Sequence, residues 1–231
     1  MCTLTYIPTD TGYIFTHNRD EHALREPAVV PMKYRHGTTV LFYPKDGRAG
    51  GTWIATDGNK TACLLNGAFK KHEHLPPYRK SRGIVLLDSF EFALEEFASS
   101  YDFAGIEPFT LLRVEALAPP IALRWDGKVV HESVLSRSPL ILSSSTLYSL
   151  ENQKARENYF QHFLNGNPYP TPGSIFSFHG LSYSGDQTQD FIMERESGVK
   201  TLSISQVILK NQELHFVYAD KISRRLHWLT S

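Results

Sequence analysis

Two β-prone runs at the start of the chain, joined by a turn, constrain the fold more than any other segment. Cys2-Thr3-Leu4-Thr5-Tyr6-Ile7 alternates, with Leu4 and Tyr6 on one side and Thr3, Thr5 and Ile7 on the other. Pro8-Thr9-Asp10-Thr11-Gly12 is a cluster of turn residues, and Tyr13-Ile14-Phe15-Thr16 is a second strand former. The pattern predicts a β-hairpin. With the turn centred near Asp10, Cys2 falls opposite Asn18 or Arg19, with the strands roughly 5 Å apart. A one-residue slip would exchange the faces, so the sequence leaves open which of Asn18, Arg19 and Asp20 shares the thiol's face.

The position of Cys2 gives that hairpin chemical meaning. A small residue after the initiator Met allows Met1 to be removed. Cys2 would then carry a thiol and a free α-amine on one residue, a nucleophile with its own base. The neighbouring strand delivers Asn18-Arg19-Asp20-Glu21 beside it.

Farther along, Glu21 to Gly37 reads as a polar loop, and Thr38 to Tyr43 as a strand. Pro44 to Gly51 is a glycine-rich loop. Thr52 to Ala55 and Thr61 to Leu65 flank the turn Asp57-Gly58-Asn59-Lys60, a second hairpin whose far end carries Asn66-Gly67 beside Gly50-Gly51. After a basic, proline-containing stretch, Gly83 to Ser99 has one apolar helical face, with a break near Asp88-Ser89. Phe109 to Val114, Ile121 to Trp125 and Val129 to Val134 read as a meander, followed by a short strand, Pro139 to Ser143. Leu150 to Leu164 is the clearest helix, ended by Asn165-Gly166-Asn167-Pro168, and Ile175 to His179 suggests a short one. Val199 to Leu209 and Leu214 to Tyr218 form a last hairpin across Asn211-Gln212, and Arg224 to Leu229 an edge strand. Antiparallel runs broken by helix pairs define an α+β class, with two antiparallel sheets covered by helices.

Composition narrows the partners. Lys plus Arg equals Asp plus Glu, at 24 each, so no global field draws nucleic acid or anionic lipid. No unbroken apolar run approaches a membrane span, and no secretory signal is visible, which points to the cytoplasm. Two cysteines in 231 residues do not make a disulfide framework. The length suits a single domain over residues 1–231. His72-Glu73-His74 lacks a third ligand, so no metal or other cofactor is expected. Arg79-Lys80-Ser81-Arg82 before a helix has the chemistry to grip a phosphate or carboxylate, although a solvated helix start is the simpler explanation.

Met1-Cys2-Thr3, Asn18-Arg19-Asp20-Glu21, Gly50-Gly51-Thr52-Trp53-Ile54-Ala55 and Leu65-Asn66-Gly67, in that order and spacing, resemble the NRDE or transport-and-Golgi-organisation-2 family. The resemblance implies a four-layer αββα sandwich of the N-terminal nucleophile (Ntn) hydrolase type, similar to penicillin V acylases and bile-salt hydrolases. It implies Cys2 as nucleophile on a small amide or ester. Arg19 would favour the thiolate and Asp20 would orient the α-amine or Arg19. Asn66 resembles the acylases' oxyanion donor. Gly51 would let backbone approach the site, and Trp53, Asn18 and His17 would line it. The acylases use a further Asn and a late Arg. The matching segment Ser143-Ser144-Ser145-Thr146 offers hydroxyls and no amide, and Arg224 or Arg225 stands for the Arg. The family's links to lipid and haem handling carry an alternative, a non-enzymatic haem or acyl-CoA carrier on the same fold.

Overall fold

The computed structural model describes residues 2–188 and 190–230. The opening hairpin forms from β1 (Cys2–Thr9) and β2 (Gly12–His22), paired so that Cys2 lies opposite Arg19, Leu4 opposite His17 and Tyr6 opposite Phe15. β2 is buried along most of its length, because it runs between β1 and β11 (Val199–Lys210) and is covered on both faces. Alternation sorts its side chains. Tyr13 and Phe15 turn toward the second sheet, while Ile14 packs against helices on the outside.

Beyond β11 the first sheet continues through β12 (Glu213–Asp220) to β13 (Arg225–Thr230), and beyond β1 it ends at β10 (Leu140–Ser143). The β11–β12 turn places Asn211 and Gln212 at φ of 52° and 68°. Positive φ at both central positions is what a two-residue hairpin with the strands' own twist requires.

The second sheet runs in the order β3 (Val29–His36), β4 (Thr39–Lys45), β5 (Ile54–Thr56), β6 (Lys60–Asn66), β7 (Phe109–Glu115), β8 (Ile121–Trp125) and β9 (Val130–Val134). β3 corrects the expected loop over Glu21 to Gly37. It is an edge strand whose register shifts between Val29 and Met32, and that irregularity accommodates Pro31, which has no N–H for a ladder.

One core lies between the sheets, joining Leu4, Tyr6 and Phe15 to Trp53, Ile54 and Leu65. A second lies under α1 (Arg82–Asp88) and α2 (Leu94–Ser100), which are separated by a 3-10 turn at the expected break. A third lies under α3 (Leu150–Gly166) and α4 (Pro172–His179). The layers are therefore helix, sheet, sheet, helix. Among the described residues no helix is long and apolar enough to cross a membrane.

Candidate active site

Cys2, nearly fully buried, forms part of the wall of a cavity of about 160 Å³ where the start of β1 and the ends of β2 and β6 meet. Arg19, Gly51, Trp53 and Asn66 line the same cavity, as do Asp46 and Arg82. The hairpin register explains Arg19, since directly paired residues share a face.

Arg19 is committed. Its Nη2 meets Asp46 Oδ2 at 2.6 Å, and its guanidinium lies 4.2 Å over the Trp53 ring. Arg25 grips the same carboxylate, Nη2 to Oδ1 at 2.9 Å, and the Ala49 N–H donates to it at 2.7 Å. Burial opposes the Asp46 charge, but the Arg25 hydrogen bond and the other donors outweigh it and hold the carboxyl below its ordinary range. Asp46, in the glycine-rich loop, is thus the keystone of this wall. Nothing near residue 46 in the sequence signals a partner 27 residues away.

Gly51 is present for a packing reason. A Cβ there would sit 2.4 Å from the backbone carbon of Gly83, so the loop and the start of α1 meet backbone to backbone. The Thr52 N–H donates to the Gly83 carbonyl at 3.2 Å across that contact.

Asn66 ends β6, half-buried, and its carboxamide makes no hydrogen bond among the described residues. Its backbone carbonyl accepts from Ser144 Oγ at 2.8 Å, while the Ser144 N–H donates to the Cys2 carbonyl at 2.9 Å. Ser144 lies in the segment matched to the acylases' second Asn, and it ties the cysteine to Asn66 through main-chain atoms. Arg224 and Arg225 are exposed and stand outside the cavity, whose lining cations are Arg19, Arg25 and Arg82.

The remaining expected site residues lie elsewhere. Asn18 faces the outer helices, donating to the carbonyls of His179 at 2.9 Å and Phe191 at 2.7 Å, and accepting from His179 Nδ1 at 2.8 Å. Asp20 is wholly buried, accepting from Tyr148 at 2.8 Å and Thr201 at 2.7 Å. Burial raises its pKa against the opposing pull of Arg156. His17 sits between the sheets, fully buried, and neither ring nitrogen has a partner among the described residues. Desolvation pushes its pKa well below the ordinary value, so the ring is neutral. Burial pushes the Cys2 thiol up; the nearby Asp20 charge adds to the rise, and the Asp20 backbone N–H opposes it.

The family model described as Transport and Golgi organisation 2 matches residues 1–167. The chain belongs to that family. Curated protein sequences yielded no match to it. Among solved structures, this family member resembles a mutant of the conjugated bile acid hydrolase of Clostridium perfringens, with a TM-score of 0.55 and 12% identity over 99% of this chain and 92% of that one. It resembles the penicillin V acylase of Agrobacterium tumefaciens similarly, with a TM-score of 0.56 and 11% identity over 99% and 86% of the two chains. At such identities the likeness establishes the Ntn-hydrolase fold.

Proposed function

We propose that the protein is a cysteine Ntn hydrolase that cleaves an amide or ester of a small molecule. The observation that carries this reading is that Cys2 and Asn66, whose carboxamide is uncommitted, line one cavity, with the two backbones joined through Ser144. Met1, whose removal the mechanism requires, lies outside the described residues.

Once Met1 is removed, the Cys2 α-amine takes the thiol proton and Sγ adds to the substrate carbonyl. The base is needed because burial keeps the thiol protonated at rest. The Asn66 amide donates to the oxygen that becomes negative, an arrangement worth about 100- to 1,000-fold in rate. The C–N or C–O bond then breaks, the leaving group departs with the proton, and water hydrolyses the thioester to regenerate the thiol. In this reading Asp20 acts from behind, fixing the strand that faces Cys2 through Tyr148 and Thr201. Arg19 builds the wall with Asp46.

The cavity volume, about 160 Å³, lies below the roughly 300–1,000 Å³ typical of sites for drug-sized ligands. That favours a small substrate over haem or acyl-CoA. Two free cysteines suit a reducing compartment such as the cytoplasm.

Intact mass spectrometry tests the first requirement: the purified chain should lack Met1. Cys2→Ala should then abolish turnover across a panel of small N-acyl amides and esters. Retained Met1, or turnover by the alanine variant, overturns the reading.

A further inference from the structure

The cavity holds a second cation whose role differs from that of Arg19. Arg19 and Arg25 share Asp46, and the Arg19 guanidinium lies over Trp53. Arg82, the first residue of α1, is anchored from behind. Its Nη2 meets Glu107 Oε2 at 2.9 Å, and its Nη1 donates to the Pro108 carbonyl at 3.2 Å. Glu107 cannot take the guanidinium with both oxygens, because Oε1 is occupied by His72 Nε2 at 3.1 Å and His74 Nδ1 at 3.0 Å. A guanidinium has five N–H donors. Beyond the one-oxygen contact with Glu107 and the Pro108 bond, the other donors of Arg82 have no partner among the described residues, and Arg82 lines the cavity. Cys2 and Asn66 line that same small space.

Resting on the hydrolase reading, we propose that Arg82 is a specificity-determining residue that receives a carboxylate of the substrate, so that the site selects small anionic amides or esters. A planar fork with free donors matches the two oxygens of a carboxylate. The anchoring by Glu107 and Pro108 holds the fork in place before substrate arrives, so little side-chain freedom is lost on binding. Burial also lowers the pKa of Arg82, with Glu107 foremost and Cys2 among the groups pulling the other way, which agrees with a cation close to the nucleophile. Arg19 and Arg25 line the cavity against Asp46 and Glu21, so the positive charge in excess is that of one cation.

Iodoacetate and iodoacetamide differ in one charge and react by the same step. Sγ bonds to the methylene carbon as the C–I bond breaks, iodide leaves with the electron pair, and the thiol proton passes to solvent. Rates at Cys2 of the full chain, separated from buried Cys63 by peptide mass mapping, give the ratio of the two reagents. Relative to the same ratio on glutathione, iodoacetate should be favoured about ten-fold, the rate equivalent of one net charge-assisted hydrogen bond. The preference should vanish in Arg82→Met, survive in part in Arg82→Lys and weaken with salt.

A wild-type ratio equal to that of glutathione overturns the anion site while leaving Cys2 a nucleophile. A preference that persists in Arg82→Met overturns the assignment to this residue. Should neither reagent reach Cys2, the nucleophile reading falls. The anion site is then decided by the Arg82 Nε–Hε NMR signal titrated with sodium acetate against sodium chloride, and a signal that acetate does not move rejects it.

Discussion

Replacing His179 with Gln should make the protein less sensitive to mild acid. His179 closes α4 and is wholly buried, with its ring held between Thr5 Oγ1 and Asn18 Oδ1, each at 2.8 Å. The Asn18 amide donates to two carbonyls, so its oxygen faces the ring and Nδ1 carries the proton. Nε2 is left to accept from Thr5. Burial, reinforced by the Arg156 charge, lowers the pKa to about 3. In the unfolded chain a histidine titrates near pH 6.5. Between those values the unfolded state binds a proton that the folded state refuses, so stability is complete above about pH 6.5 and falls as the pH drops. At pH 5.5 the loss is RT ln(1 + 10), about 1.4 kcal/mol, against less than about 0.1 kcal/mol at pH 7.5. A glutamine can donate to Asn18 and accept from Thr5 without titrating. Urea unfolding of both proteins at pH 7.5 and 5.5 should therefore show wild type losing about 1.4 kcal/mol more than His179→Gln. His17, neutral and buried in both, cancels from the difference. Equal losses, or an NMR titration of His179 near 6.5, would refute the reasoning.

Three further outcomes follow from the site. Gly51→Ala drives a Cβ to 2.4 Å from the Gly83 backbone carbon and 2.6 Å from the Ile84 nitrogen, and neither can yield without moving α1; overpacking of this kind costs about 1–3 kcal/mol, visible as a lowered Tm. Asp46→Ala strands Arg19 over Trp53 without a counter-charge. Breaking a buried pair from one side costs about 3–5 kcal/mol, and chemical denaturation should show it, whereas the more exposed Arg25 contributes little of this. Asn66→Ala should lower kcat about 100- to 1,000-fold with KM nearly unchanged, since the amide would act on charge that develops only in the transition state; a change confined to KM would remove it from that role.

Local patterns made most of the architecture legible. The opening hairpin, the break after Asp88, the meander from Phe109 and the Asn211-Gln212 turn are each set by residues a few positions apart. β3 was not legible because Pro31 suppresses a strand reading, and only its place at a sheet edge beside β4 makes that proline harmless. The hairpin placed Cys2 opposite Asn18 or Arg19, and the structure pairs it with Arg19. Alternation then sends the Asn18 side chain to the helix-covered face, which no reading with an undecided register could state. Asp46 and Glu107 are silent in the sequence for a different reason. Each matters through partners brought together by the stacking of loops and sheets, such as Arg19 for Asp46 and Arg82 with His72 for Glu107. Neither residue carries a local pattern of its own.

Ser144 gives the site its mechanical coupling. One sheet supplies the cysteine and the other supplies Asn66, and this residue holds a main-chain atom of each. Sliding of the two layers past one another would therefore strain this short link, which Thr146 Oγ1 supplements by donating to the same Asn66 carbonyl at 3.4 Å. Because that link follows a four-residue border strand with a neighbour on one side only, the tolerance of the reaction geometry is set at the sheet's thinnest margin and not in its well-packed centre.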